Sequence, residues 1–146
     1  MITVRELLKN KGREVWSINP EDSVFAAIKT MDDKHVGALA VVKDDKLVGI
    51  VSERDYARKV ILRRRTSKET RVKEIMTTQV YYTHPNQPID ECLVIINERR
   101  IRHLPVMYND RLVGIISVGD VVKEIIKEQK YTIQQLENQL SWTESY

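Results

Sequence analysis

The stretch Leu47-Val48-Gly49-Ile50-Val51-Ser52-Glu53-Arg54-Asp55 decides the reading, because it returns as Leu112-Val113-Gly114-Ile115-Ile116-Ser117-Val118-Gly119-Asp120. Twice, an apolar run containing one glycine ends at a serine with an aspartate three residues on. Working outward, residues 15–62 overlay residues 80–127 at a constant offset of 65 with no gap. Val15 falls on Val80, Pro20 on Pro85, Leu39 on Leu104 and Val41 on Val106, while Val24, Ala27, Ile28 and Met31 fall on Ile89, Cys92, Leu93 and Ile96. Upstream, Val4-Arg5-Glu6-Leu7-Leu8 resembles Val72-Lys73-Glu74-Ile75-Met76 once three extra residues in the first copy are allowed for. The chain is one unit of roughly 60 residues made twice, which is a repeat architecture.

Each copy predicts the same local structure. Apolar residues at 24, 27, 28 and 31 follow the spacing of a half-buried helix, with Asp22 as the expected cap and Pro88 in the first turn of its counterpart. The apolar strand Ala38–Val42 (or His103–Met107) then turns through Lys43–Lys46 (or Tyr108–Arg111) into a second strand. So short a connection predicts an antiparallel hairpin. A second helix starts after Ser52 or Ser117. The expected class is α/β in the broad sense, more narrowly α+β. Each unit runs strand–helix–strand–strand–helix, with helices on one face of a small sheet. We divide the chain into units at 1–65 and 66–128 and a C-terminal helical extension at 129–146.

Composition bounds the function. The 146 residues are 42% hydrophobic and 31% charged, with five Gly and four Pro, a globular balance. No apolar run approaches the roughly 20 residues of a membrane span. Met1-Ile2-Thr3-Val4-Arg5-Glu6 shows no charged head before an apolar stretch, so no secretory leader is expected. The single cysteine, Cys92, rules out an internal disulfide and fits a reducing cytoplasm. The net charge is only +3, concentrated between Arg58 and Arg71. No aromatic lies between Tyr56 and Tyr81, which disfavours a nucleic-acid surface. His35, His84 and His103 form no metal-ligand spacing with cysteine or paired carboxylates, and no nucleophile elbow or Gly-rich phosphate loop is present. No enzyme is expected.

Gly-Ile-Val-Ser-Glu-Arg-Asp and Gly-Ile-Ile-Ser-Val-Gly-Asp, in tandem, resemble a pair of CBS domains, or Bateman module. Arg99-Arg100-Ile101-Arg102-His103-Leu104-Pro105-Val106 resembles the strand opening of that family's second copy. The resemblance covers residues 1 to about 128 and is greatest to stand-alone CBS pairs. It implies two units related by a pseudo-twofold, a regulatory function without catalysis, and adenine-nucleotide binding in the cleft between them.

Ser52 and Asp55 alone read as a capping box, as do Ser117 and Asp120. The same geometry offers a helix N-terminus to phosphate and a carboxylate to ribose hydroxyls. The resemblance assigns the aspartate to ribose and the serine to phosphate or ribose. It places the rest of each site on the other unit. One site is expected to join Ser52, Arg54 and Asp55 to Thr83, His84, Pro85, Ile101, Arg102 and His103. The other joins Ser117, Gly119 and Asp120 to Ile18, Asn19, Pro20, Val36, Gly37 and Ala38. Arg54 and Arg102 are the expected phosphate contacts, and Gly119 leaves the second site weaker or suited to a different ligand.

Cys92 aligns with Ala27 and reads as a small buried residue. Arg63–Arg71 reads as a solvated linker, a phosphate-tail contact or a docking patch for an acidic partner. Beyond Asp120, Ile126, Gln129, Ile133, Leu136 and Leu140 keep heptad-like spacing without Pro or Gly, predicting a long helix used in dimer packing. The leading function is a sensor of AMP, ADP or ATP, with NAD(H) the runner-up ligand, acting as a homodimer on a regulated protein. The alternatives are a structural or protein-interaction dimer with vestigial sites, and a basic nucleic-acid binder.

Overall fold

The structure is a computed structural model and describes residues 2–12 and 14–144. Helix α1 (Val4–Lys11) precedes strand β1 (Ser17–Ile18), helix α2 (Val24–Lys34) and the hairpin β2 (Ala38–Lys43) and β3 (Lys46–Ser52). Helix α3 (Glu53–Tyr56) runs on as a π-helical turn, Ala57–Ile61. A 3-10 turn (Val72–Glu74) leads to α4 (Ile89–Arg99), the hairpin β4 (His103–Tyr108) and β5 (Arg111–Ser117), and the long helix α5 (Val118–Glu144). The last two residues of the expected extension, 145 and 146, lie outside the described residues.

Both hairpins form as the turns dictate. Asp44-Asp45 and Asn109-Asp110 take positive φ (51° and 62°, 49° and 63°), the left-handed pair that a two-residue hairpin turn requires. Strand β1 pairs parallel with β2, Ile18 facing Val41. In the second unit the equivalent strand shrinks to one parallel bridge, Thr83 to Val106. Pro105 explains this: the next ladder bond would need its N–H, which proline lacks. Two caps differ from expectation. Ser23, not Asp22, caps α2 by accepting from Ala26 N at 3.1 Å, while Asp22 accepts from Asn19 N. Pro88 occupies the cap position itself, and Ile89 opens the helix.

Two cores form at equivalent positions. The first gathers Val24, Ala27, Met31, Leu39, Val41 and Val51, and the second Ile89, Cys92, Ile96, Leu104, Val106 and Ile116. The leading segments are exchanged between them. Val4, Leu7 and Leu8 bury in the second core, whereas Val72 and Ile75 complete the first. Main-chain bonds fix the exchange: Val4 N donates to Gln87 O at 2.9 Å, and Val72 N to Asp22 O at 2.9 Å.

The repeated glycines make room for it. A Cβ at Gly114 would lie 2.7 Å from Leu8 Cδ2, and one at Gly49 would lie 2.9 Å from Met76 Sδ and from Thr77 O. The two halves meet along β3 and β5.

Candidate functional site

Two of the cavities between the halves gather the expected residues. The first, about 380 Å³, is lined by Ser52, Arg54 and Asp55 from one unit and Ile101, Arg102 and His103 from the other. The second, about 610 Å³, sets Ser117 and Asp120 against Val36, Gly37 and Ala38. These eleven residues come together as the resemblance implied; Gly37 and His103 line both cavities.

Six expected residues lie elsewhere: Thr83, His84 and Pro85 are absent from the first wall, and Ile18, Asn19 and Pro20 from the second. Strand direction is the reason. Because β1 runs parallel to β2, its beginning and not its end lies at the cleft where β2 starts. The walls are therefore built by Gln79, Val80 and Tyr81, and by Glu14, Val15 and Trp16, at matching repeat positions. Thr83 is 1% exposed and its hydroxyl serves Gln87 and Cys92 inside the core. Pro85 O is taken by Arg5 N. Gly119 also lies off the second wall.

Sequence reasoning missed the rings. Trp16 lines one cavity and Tyr81 the other. Lys34 Nζ lies 4.2 Å from the Trp16 ring centre, and Arg99 Cζ lies 4.7 Å from that of Tyr81. Both members of the pair obey the offset of 65, which was the available signal.

Each aspartate is held twice. Asp55 Oδ2 accepts from Ser52 N at 3.0 Å and Ser52 Oγ at 3.1 Å, while its Oδ1 meets Lys59 Nζ at 3.1 Å. Asp120 Oδ2 accepts from Ser117 N at 2.8 Å and from Lys11 Nζ at 2.7 Å, and Lys11 also donates to Ile115 O at 2.6 Å. Burial pushes the Asp120 carboxyl up, but the bonds from Lys11 and Ser117 together outweigh it and hold the group below its usual range. Burial is the main cause that lowers His103, helped by the charges of Lys11 and Arg102 and opposed by Asp120. This makes a neutral ring between the cavities the favoured form.

The family model for the CBS domain matches residues 4–62 and again residues 72–127. The chain belongs to the CBS domain family. Among curated CBS proteins, the mitochondrial CBSX3 of Arabidopsis thaliana is 35% identical over 92% of this chain and 69% of its own length. Two further curated relatives, from Thermofilum pendens and Methanocaldococcus jannaschii, are longer, and the chain spans 43% and 37% of their lengths. The solved structure of a protein with CBS domains from Burkholderia ambifaria is 50% identical, with a TM-score of 0.84 over 88% of this chain and 96% of that one. The CBS domain pair of protein MJ0100, solved with 5′-methylthioadenosine and S-adenosyl-L-methionine, is 24% identical (TM-score 0.78; 88% of this chain, 98% of that one), a likeness of fold.

Cys92 is buried, and burial pushes its thiol up. In the arginine-rich linker, Arg65 pairs with Glu74 and Arg71 with Glu21, which neutralises two of its cations. Among the described residues no His, Cys, Asp and Glu group could hold a metal ion, and no helix is long and apolar enough to cross a membrane.

Proposed function

We propose that the chain is a regulatory module, without catalysis of its own, that binds an adenine nucleotide between its CBS units and passes its occupancy to a regulated protein. The observation that supports this reading is the duplicated set of groups: an aspartate held at a helix start by its serine, facing an aromatic ring and an apolar strand of the other unit. A carboxylate accepts both ribose hydroxyls, the apolar wall and ring take the base, and neighbouring cations take phosphate. In the first cavity those cations are Arg54, Arg58, Arg100 and Arg102. AMP, ADP and ATP fit this chemistry, and NAD(H) shares its adenosine half. A ligand spanning both units favours one relative orientation by its differential affinity, and that shift is the signal. We place the module in the cytoplasm, where its lone buried thiol stays reduced.

One observation favours the vestigial reading: Lys59 and Lys11 already occupy Asp55 and Asp120. Thermal unfolding with AMP, ADP, ATP, NAD, NADH, S-adenosylmethionine and GMP decides between the two. A ligand at about 100 times its Kd adds roughly 2.7 kcal/mol, a rise on the order of several degrees. The sensor reading expects that rise with an adenosine compound, none with GMP, and its reduction by Asp55→Ala or Asp120→Ala. A melt unmoved by every compound rejects it.

A further inference from the structure

Helix α5 leaves its own unit partway along. Val121 and Glu124 are buried against the second core, but every residue from Lys127 to Ser141 is exposed. On that stretch Ile133 (55% exposed), Leu136 (56%) and Leu140 (63%) form one stripe, continuing Val122 and Ile126 at alternating steps of four and three once Gln129 is counted between Ile126 and Ile133. A free helix of about four turns is marginal in water, so a stripe of this regularity calls for a partner helix.

We propose that a second copy of this chain covers the stripe, its helix running antiparallel with the projecting segments overlaid on each other end to end. This deepens the homodimer expectation and is independent of what the cavities bind. In an antiparallel pair each residue of one seam position meets one of the other, and flanking residues on the same side face each other. The register that overlays the two projections sets Ile133 on Leu136 of the second copy and Gln129 on its Leu140, each contact made twice by symmetry.

That register also sets Lys130 against Glu137 of the second copy, twice, at the rim of the seam. The charges select this arrangement over its competitors. Sliding by one heptad in either direction brings Lys130 onto its own counterpart, or Glu137 onto its own. A parallel pairing stacks Gln129 on Gln129 and faces Lys130 and Glu137 with Ile125 and Thr132, leaving both charges without an opposite across the seam.

Sedimentation of the full chain tests this, with circular dichroism as the check that the helix persists. The native chain self-associates, and Ile133→Asp, at a site exposed in one copy, removes that association. Lys130→Glu and Glu137→Lys each turn two attractions into repulsions and weaken association by about tenfold. The double swap restores it to near the native value. A native chain that stays monomeric overturns both the homodimer and this geometry. Association that ignores the swaps leaves a homodimer through another face and overturns the geometry alone, as does weakening by both single swaps without rescue in the double.

Discussion

In the first cavity Asp55 shares its walls with Arg54, Arg58, Arg100 and Arg102, whereas the positions equivalent to three of these in the second unit pair are Gly119, His35 and Gly37. The second cavity draws its cations from elsewhere: Lys34 over the Trp16 ring, and Lys11, delivered by α1 onto Asp120 itself. Lys59, which holds Asp55, has Glu124 as its counterpart, buried and accepting from Asn10. Duplication preserved what builds the cavity, the serine–aspartate cap and the ring with its cation. It did not preserve the charges around them. The two cavities are one scaffold with two electrostatic characters.

The largest expected effect tests the exchange of leading segments. Leu7 is 1% exposed and packs in the second core although it lies at the start of the first unit. Leu7→Ala should cost about 2–5 kcal/mol through the cavity it leaves. Native-state hydrogen exchange should then quicken in α4, β4 and β5 more than in α2, β2 and β3. Faster exchange confined to the first half would refute the exchange.

How much of this the sequence disclosed depends on whether the governing interaction was local. Spacing and repetition exposed both helices, both hairpins and both serine–aspartate caps, since each is set within a few residues. The resemblance of Val4–Leu8 to Val72–Met76 was visible, but the core each enters depends on how the chain crosses, which no local pattern encodes. Gly49 and Gly114 carried the hint, as positions where another segment presses on the strand. The misplacement of Ile18–Pro20 and Thr83–Pro85 has the same origin: a parallel strand approaches the cleft with its first residues. The rings escaped notice because tryptophan and tyrosine, like lysine and arginine, align by role and not by identity.

A middle-sized effect sharpens the contrast between the cavities. With four arginines on its wall, the first should prefer ATP and ADP to AMP, each added phosphate meeting a further guanidinium. Arg54→Ala with Arg102→Ala should leave AMP affinity within a few-fold while cutting the ATP preference by about tenfold, the equivalent of about 1.4 kcal/mol. Calorimetric titration in an Asp120→Ala background reads this cavity by itself. An ATP-to-AMP ratio untouched by the double change would show that these arginines do not read phosphate.

The smallest effect concerns Lys11, and its sign follows from Asp120. That carboxyl sits below its ordinary value of 3.8 because the bonds from Lys11 and Ser117 together exceed the opposing effect of burial. A carboxylate lowered on folding gives stability that is present above its unfolded value and is lost as pH falls through the folded one. Lys11→Met removes a principal lowering contact and leaves burial to raise the group, so acid unfolding should begin at a higher pH than in the native chain. The two side chains are 34% and 26% exposed, so solvent screens the pair and the loss at neutral pH should stay under about 1 kcal/mol. His103 moves the other way: its lowered value makes stability rise with pH through the window just below 6.5, and losing the Lys11 charge should flatten that rise. Stability measured by urea unfolding from acid to neutral pH reads both limbs. An acid limb that does not move on Lys11→Met would mean that Ser117 alone holds Asp120, and that the lysine of the second cavity is a bystander to its charge.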